Sequence, residues 1–393
     1  MLADRSGDPN FPQGLRIHPS SSQRGPLTVD GNGHQEPDTD RSSVDVTQAD
    51  SWEQDTAEDI ECFGIAGRIW EAAYLLACYL RPVDQLASEL EFDPPCSLFH
   101  RSNAEPLTIV ELGSGAGYGS LHLAGQILRH SQDVQAKLLQ ARLVLTDLEN
   151  VVPLMKRNVA RAGHEQATDL LDVRVRRLAW GNKDHAAELV SELAATRAVE
   201  SEKVGKNPLS HILCSDLVYF PELLAPLLRS IIWLSGYGIE AESDDSCFAQ
   251  RGPELIISYK VRSLTKEQPF WSALSSWFEL RAVDCRSKRR QRHSHSQDQS
   301  TDDTGLEWHR FGSQGEDYGA SEASDQELFV FVGHRRKETI GCMAPEDDTE
   351  LMSGKRLRPG QGPEGEACFE LESSSGQDYF EWLLLVNMGA CFG

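Results

Sequence analysis

Apolar residues are not spread evenly along this 393-residue chain. They gather in short runs between about residues 60 and 335, and the runs alternate between two periods. From Ile60 to about Leu80, Trp70, Ala73, Tyr74, Ala77 and Leu80 recur at helical spacing and Pro82 marks the exit, which predicts a packed leading helix. Leu107 to Leu112 (LTIVEL) predicts a short buried strand that runs straight into Gly113, Gly115, Gly117 and Gly119, ahead of a helix over Leu121 to Leu128. Arg142 to Thr146 (RLVLT) predicts a second strand ending on Asp147, followed by a helix through Val151, Leu154, Met155 and Val159. Asp172 to Trp180 alternates like a third strand, and His211 to Cys214 opens a fourth that stops at Ser215 and Asp216. A helix over Pro221 to Leu234 begins with proline in its first turn, a favoured place for it. Glu254 to Tyr259 (ELIISY) makes a fifth strand with a helix through Phe270 and Trp271 behind it. Phe278 to Val283 and Gln326 to Val332 read as closing strands.

This alternation predicts a doubly wound, Rossmann-like α/β fold with a mostly parallel seven-strand sheet and an antiparallel edge. Ligands in such folds bind beyond the C-terminal strand ends, so the chemistry is expected in the loops after the first four strands. Outside this region the pattern fades. Residues 1–57 are rich in Ser, Asp, Gln, Gly and Pro and are expected to form a disordered arm; the domain is expected over 58–338, with a polar insertion at about 285–325. Residues 339–393 are expected to be a mostly disordered tail, within which Tyr379 to Val386 (YFEWLLLV) fits a partner-binding helix and equally an artefact of the predicted coding sequence.

Composition narrows the function class. The net charge of −23 would repel a phosphate backbone at long range, which disfavours a nucleic-acid partner and suits a basic protein better. The basic run Arg286, Lys288, Arg289, Arg290 and Arg292 lies in the polar insertion and reads as a solvated loop. Met1 to Asn10 lacks the apolar core of a secretory signal, and no run approaches the roughly 20 apolar residues that span a bilayer, so no membrane partner is expected. Nine scattered cysteines without a C-x-x-C pair indicate neither a zinc site nor a disulfide framework. Reduced thiols in cytosol or nucleus, and a monomer without bound metal, are the expectation.

Glu111-Leu-Gly113-Ser114-Gly115-Ala-Gly117 sits between a strand and a helix, where glycines form a tight turn and bring backbone N–H groups against a ligand. The series is G-x-G-x-G, not the G-x-G-x-x-G of dinucleotide folds, and an acidic residue precedes it by two positions. A buried carboxylate there requires a cationic or hydrogen-bonding partner, such as the ammonium of a methionine moiety. That pattern favours a methyl donor over a dinucleotide. Asp147, ending the second strand, is placed to accept both hydroxyls of a ribose, although a helix N-cap would use the same residue type. Trp180 presents a flat apolar face near an adenine site, and core packing would explain it equally. Ser215-Asp216-Leu-Val-Tyr219 puts a carboxylate and a phenol three residues apart at the same cleft; a helix cap and a packed tyrosine are the plain alternative.

Together these segments resemble methyltransferase family 16, the seven-strand protein-lysine methyltransferases of the methyltransferase-like 21 group. Five ordered pieces carry the resemblance: Gly67-Arg-Ile-Trp70-Glu-Ala-Ala, Glu111 to Gly117, Leu178-Ala-Trp180-Gly181, Asp216 to Tyr219 as D-x-x-Y, and Ile257-Ser-Tyr259-Lys-Val-Arg262. The resemblance implies S-adenosyl-L-methionine as cofactor, contacted by Trp70, Gly113, Ser114, Gly115, Asp147, Trp180 and Ser215, with Glu111 beside them. It implies that Asp216 and Tyr219 border a channel for the target lysine, with a translation factor or chaperone as protein substrate. Family members often carry a small apolar residue where Ser215 stands, and no Pro-Pro-Tyr, usual in amide- and base-nitrogen methyltransferases, is present. The expected reaction is attack of a neutral lysine amine on the activated methyl, with Asp216 attracting the ammonium and Tyr219 holding the amine. A methyltransferase acting on a small amine or nucleic acid, and a non-catalytic cofactor-binding scaffold, are the rival readings.

Overall fold

The computed structural model describes residues 8–12, 15–20, 51–82, 90–99, 106–132, 140–200, 207–237, 252–287, 307–314, 327–361 and 367–373. In chain order the elements are α1 (Ala57–Phe63), a 3-10 turn (Gly64–Gly67), α2 (Glu71–Tyr79), β1 (Leu90–Asp93), β2 (Leu107–Leu112), α3 (Tyr118–Gln132), β3 (Ala141–Asp147) and α4 (Val152–Arg161). Then follow β4 (Leu171–Arg177), α5 (Lys183–Glu200), β5 (His211–Ser215), α6 (Pro221–Gly236), β6 (Glu254–Lys260), α7 (Leu264–Trp277), β7 (Phe278–Ala282) and β8 (Asp284–Ser287). The last are β9 (His309–Arg310), β10 (Leu328–Arg335), α8 (Asp348–Met352), β11 (Lys355–Gln361) and β12 (Ala367–Ser373).

Seven strands form one sheet in the order β4-β3-β2-β5-β6-β10-β7. The five from β2 to β6 run parallel, and β10 runs antiparallel between β6 and β7, which makes the antiparallel side the sequence predicts. Strand order reverses about β2: β3 lies on one side and β5 on the other. Crossovers leaving in opposite directions cannot close over the strand ends there, so a crevice opens beyond Leu112, Asp147 and Ser215.

Alternation along the strands divides the core in two. Val110, Leu112, Val144, Ile212, Cys214, Ile257, Tyr259, Phe329 and Phe331 pack under α5, α6 and α7. Ile109, Leu143, Leu145, Leu213, Ile256 and Val330 pack under α2 and α3. Full burial of a side chain such as Phe331 contributes about 1.5–3 kcal/mol, and both faces are covered by such residues. α5 was not among the expected elements, although Ala186, Leu189, Val190 and Leu193 recur at helical spacing and are buried.

Four expectations are corrected. The leading helix over 60–80 is broken into α1, the 3-10 turn and α2. Gly64 turns at φ 61°, and a Cβ on Gly67 would lie 2.2 Å from the Asp59 carbonyl oxygen, so the chain folds back on itself there. The N-terminal arm is not featureless: Asn10 is buried, its carbonyl accepts from the Ile65 N–H at 2.9 Å, and the Ser20 N–H donates to Asp55 at 2.9 Å. The flanks of the polar insertion are ordered too. β8 pairs with β1 and β9, and Arg286 binds Glu91 at 2.8 Å and lies over the Trp308 ring, so it is not a solvated-loop residue; the other basic residues of that run lie outside the described residues. Finally, residues 339–361 and 367–373 fold: Cys342, Ala344 and Leu351 enter the core against α6 and α7, and β11 pairs with β12. The segment Tyr379 to Val386 lies outside the described residues.

Candidate functional site

Beyond the strand ends lies a cavity of about 400 Å³, within the range of small-molecule sites. Every residue named from the sequence lines it: Trp70, Glu111, Gly113, Ser114, Gly115, Asp147, Trp180, Ser215, Asp216 and Tyr219.

The turn after β2 is built for close approach. Gly113, Gly115 and Gly117 all have positive φ, at 54°, 53° and 79°. A Cβ on Gly113 would stand 2.7 Å from Trp180 Cζ2, and one on Gly115 would stand 2.9 Å from the Ala66 carbonyl oxygen. Ser114 has a structural duty beside its place in the wall. Its N–H donates to the Thr146 carbonyl at 2.9 Å, the Thr146 N–H donates to its Oγ at 3.0 Å, and the two strand tips are tied together.

Two buried carboxylates stand at the ends of β2 and β3. Glu111 is 1 % exposed, and burial pushes its pKa up to about 7 against the Ser120 and Ser114 groups that bond it. Asp147 accepts from the Gly115 N–H at 2.8 Å and the Leu148 N–H at 2.7 Å; burial still raises its pKa to about 6. It is not a helix cap, because α4 begins at Val152 with Val151 before it. These groups fit a cofactor with an ammonium and a diol: each carboxylate is costly to ionise alone, and each gains a donor when such a ligand binds.

On the other wall, the Trp70 indole N–H donates to the Ile65 carbonyl at 2.9 Å, which turns the ring into the cavity. Arg68 and Arg262 lie over that ring at 4.5 and 5.5 Å. Trp180 approaches Tyr219 with ring centroids 6.4 Å apart. Ser215 is bonded by the Ser258 hydroxyl at 3.4 Å.

Asp216 differs from the expectation in its partners. It caps no helix, since α6 starts at Pro221, and its carboxylate already carries a cationic partner. Arg262 meets it with two prongs, Nη1 to Oδ1 at 2.8 Å and Nη2 to Oδ2 at 2.5 Å. Burial opposes the charge on Arg262, yet Asp216, Glu71 and Glu267 hold the guanidinium above its ordinary range. Buried Glu267 accepts the Arg262 and Ser263 N–H groups and so fixes the turn that presents Arg262. Burial, and then the charges of Asp147 and Asp216, push the Tyr219 phenol well above its usual range, so it remains a donor.

The sequence reading missed Arg262, Glu71 and Asn10 as lining or neighbouring groups. Arg262 was within a recognised motif but carried no signal of its pairing with Asp216, 46 residues away in sequence. Glu71 is held below the usual carboxylate range: burial would raise it, but its own N–H, Lys260, Arg68 and Arg262 more than offset that.

The topology, the glycine turn and the paired carboxylates are those of the S-adenosylmethionine-dependent methyltransferase fold. The family model described as lysine methyltransferase, methyltransferase family 16, matches residues 49–276, and the chain belongs to that family. Among solved structures, the chain is similar to a protein of Nostoc punctiforme PCC 73102 assigned as an O-methyltransferase, at 10 % identity and a TM-score of 0.28, covering 60 % of this chain and 53 % of that one. It is also similar to an O-methyltransferase family 2 protein of Planctomyces limnophilus DSM 3776 in complex with apigenin, at 14 % identity and a TM-score of 0.22, covering 43 % and 36 %. This chain therefore spans about half the length of the first and about a third of the second, and neither overlap is close enough to relate their acceptor sites to this one. No helix among the described residues is long and apolar enough to cross a membrane.

Proposed function

We propose that this chain transfers a methyl group to a lysine side chain of a protein substrate. The observation that carries the reading is Asp216. Among the described residues it is the sole non-glycine with positive φ (59°), and its carboxylate and the Tyr219 ring line the same cavity as the glycine turn. A left-handed backbone costs roughly 1–2 kcal/mol for most residues, and such strain persists where function requires it.

When bound, the cofactor supplies an electrophilic methyl on a sulfonium. The chain's own residues position the amine and relieve it of its proton. Asp216 Oδ1 accepts from Arg262 Nη1 and the Lys260 N–H, whereas Oδ2 accepts from Arg262 Nη2 alone, so Oδ2 retains acceptor capacity for an incoming ammonium. Once there, the ammonium stands close to the Arg262 cation, which favours its deprotonation to the nucleophilic amine. Tyr219, a neutral phenol, orients the nitrogen by a hydrogen bond. The proton leaves through the cavity mouth to water.

The acidity of the chain supports a protein acceptor with basic surroundings over a nucleic acid. Labelled cofactor incubated with cell extract, then resolved into protein, nucleic-acid and small-molecule fractions, tests this. Label in the protein fraction agrees with the proposal. Label confined to either other fraction overturns it, as does cofactor binding without transfer to any fraction.

A further inference from the structure

Residues 8–12 and 15–20 precede the stretch matched by the family, yet Pro9, Asn10 and Leu15 line the same cavity as Asp147 and Trp180. The segment is pinned at both ends. The Asn150 amide donates to Asp8 Oδ2 at 2.9 Å, three residues beyond Asp147. At the far end the Ser20 N–H donates to Asp55 at 2.9 Å, and the Ser20 and Tyr74 hydroxyls lie 3.0 Å apart. Between them the strap presses against Gly64, where a Cβ would stand 1.8 Å from the Asn10 carbonyl oxygen. Only glycine fits under it.

Asn10 is 5 % exposed, and among the described residues its buried Nδ2 has no hydrogen-bond partner. A buried amide donor left without a partner costs about 1–3 kcal/mol, so its position calls for an acceptor. The place of that acceptor follows from the contacts around it. Asn10 holds Ile65; the next residue, Ala66, presents its carbonyl oxygen to Gly115; and the Gly115 N–H donates to Asp147. Asn10 therefore lies on the Asp147 side of the cavity. A ribose diol that gives both protons to the Asp147 carboxylate presents only lone pairs elsewhere, and these require a donor.

We propose that Asn10, carried on this N-terminal strap, donates its side-chain amide hydrogen bond to a ribose hydroxyl oxygen of the bound cofactor. The proposal rests on the cofactor assignment and is independent of the acceptor, because it is read in binding alone. Calorimetry should compare S-adenosylhomocysteine with its 2′-deoxy and 3′-deoxy counterparts on the unsubstituted full chain, on Asn10→Ala and on Asn10→Asp.

Asn10→Ala is expected to weaken S-adenosylhomocysteine by about three- to tenfold, and Asn10→Asp by more, since a carboxylate would face lone pairs. With one of the two deoxy ligands the Asn10→Ala loss should disappear. Unchanged affinity in a folded Asn10→Ala chain, or an equal loss for all three ligands, would overturn the assignment. Gly64→Ala, whose Cβ would push the strap away through the Asn10 main chain while leaving the Asn10 side chain chemically unaltered, should reproduce the loss; full affinity there would also count against it. No binding by the unsubstituted chain would remove the cofactor assignment together with this proposal.

Discussion

Asp216 and Arg262 are locked together at the cavity wall, with the Asp216 side chain 1 % exposed and the Arg262 side chain 28 %. Breaking a buried pair from one side leaves an uncompensated charge. Arg262→Ala is therefore expected to destabilise the chain by about 3–5 kcal/mol, read by denaturant unfolding. Asp216→Ala also leaves Arg262 unpaired and should lose stability; in the fraction that stays folded, single-turnover transfer should fall by roughly tenfold to a hundredfold with most cofactor affinity retained, because the removed carboxylate faces the acceptor. Asp216→Gly should be more stable than Asp216→Ala by about 1–2 kcal/mol, since glycine accepts the positive φ and alanine does not.

Tyr219→Phe is the milder companion. It removes one neutral hydrogen bond, worth about 1 kcal/mol, so transfer should fall less than tenfold and S-adenosylhomocysteine affinity should stay unchanged by calorimetry.

Cofactor binding should depend on pH through Glu111. Burial raises its pKa in the folded chain from 4.5 to about 7, so the folded state holds a proton that the unfolded chain has already lost. Stability from this group is thus full below the unfolded value and lost as pH rises across that window. An ammonium ligand reverses the preference and favours the ionised carboxylate. Affinity for S-adenosylhomocysteine should rise from around pH 6 to around pH 7.5, with up to about one proton released on binding at the lower pH. Calorimetry in buffers of different ionisation enthalpy reads that proton, and Glu111→Gln should abolish most of the release. Asp147, raised to about 6, should supply the remainder.

The C-terminal part of the domain is expected to be necessary for stability. Arg335 is 2 % exposed and donates to the carbonyls of Ile232, Thr339 and Cys342, tying the end of α6 to the segment after β10. Arg335→Ala leaves these acceptors unsatisfied and should cost about 2–4 kcal/mol by thermal or denaturant unfolding. A chain ending at residue 338 loses Cys342, Ala344 and Leu351 from the core and should be less stable still.

What the sequence made legible had local period or local chemistry. The strands are apolar runs a few residues long, and the glycine turn and the acids at strand ends announce themselves by position. Arg262 was not legible as a partner of Asp216, because nothing local links residues on different strand exits. Cys342, Ala344 and Leu351 were missed for a related reason: single apolar residues among polar neighbours have no period, and only the tertiary fold brings them to α6 and α7. The break at Gly64 was hidden because apolar spacing continues through it, while the cause is contact with Asn10 and a positive φ. The strap itself carried the composition of an arm with no core of its own.

The central claim is transfer of a methyl group to lysine nitrogen within this cavity. The direct measurement is amino-acid analysis of the labelled protein fraction, made with the unsubstituted chain and with Asp216→Ala at equal cofactor saturation. Label recovered as methylated lysine, reduced at least tenfold by Asp216→Ala, is the predicted result. Label on a different residue type, or an undiminished yield of methyl-lysine from a folded Asp216→Ala chain, would contradict it.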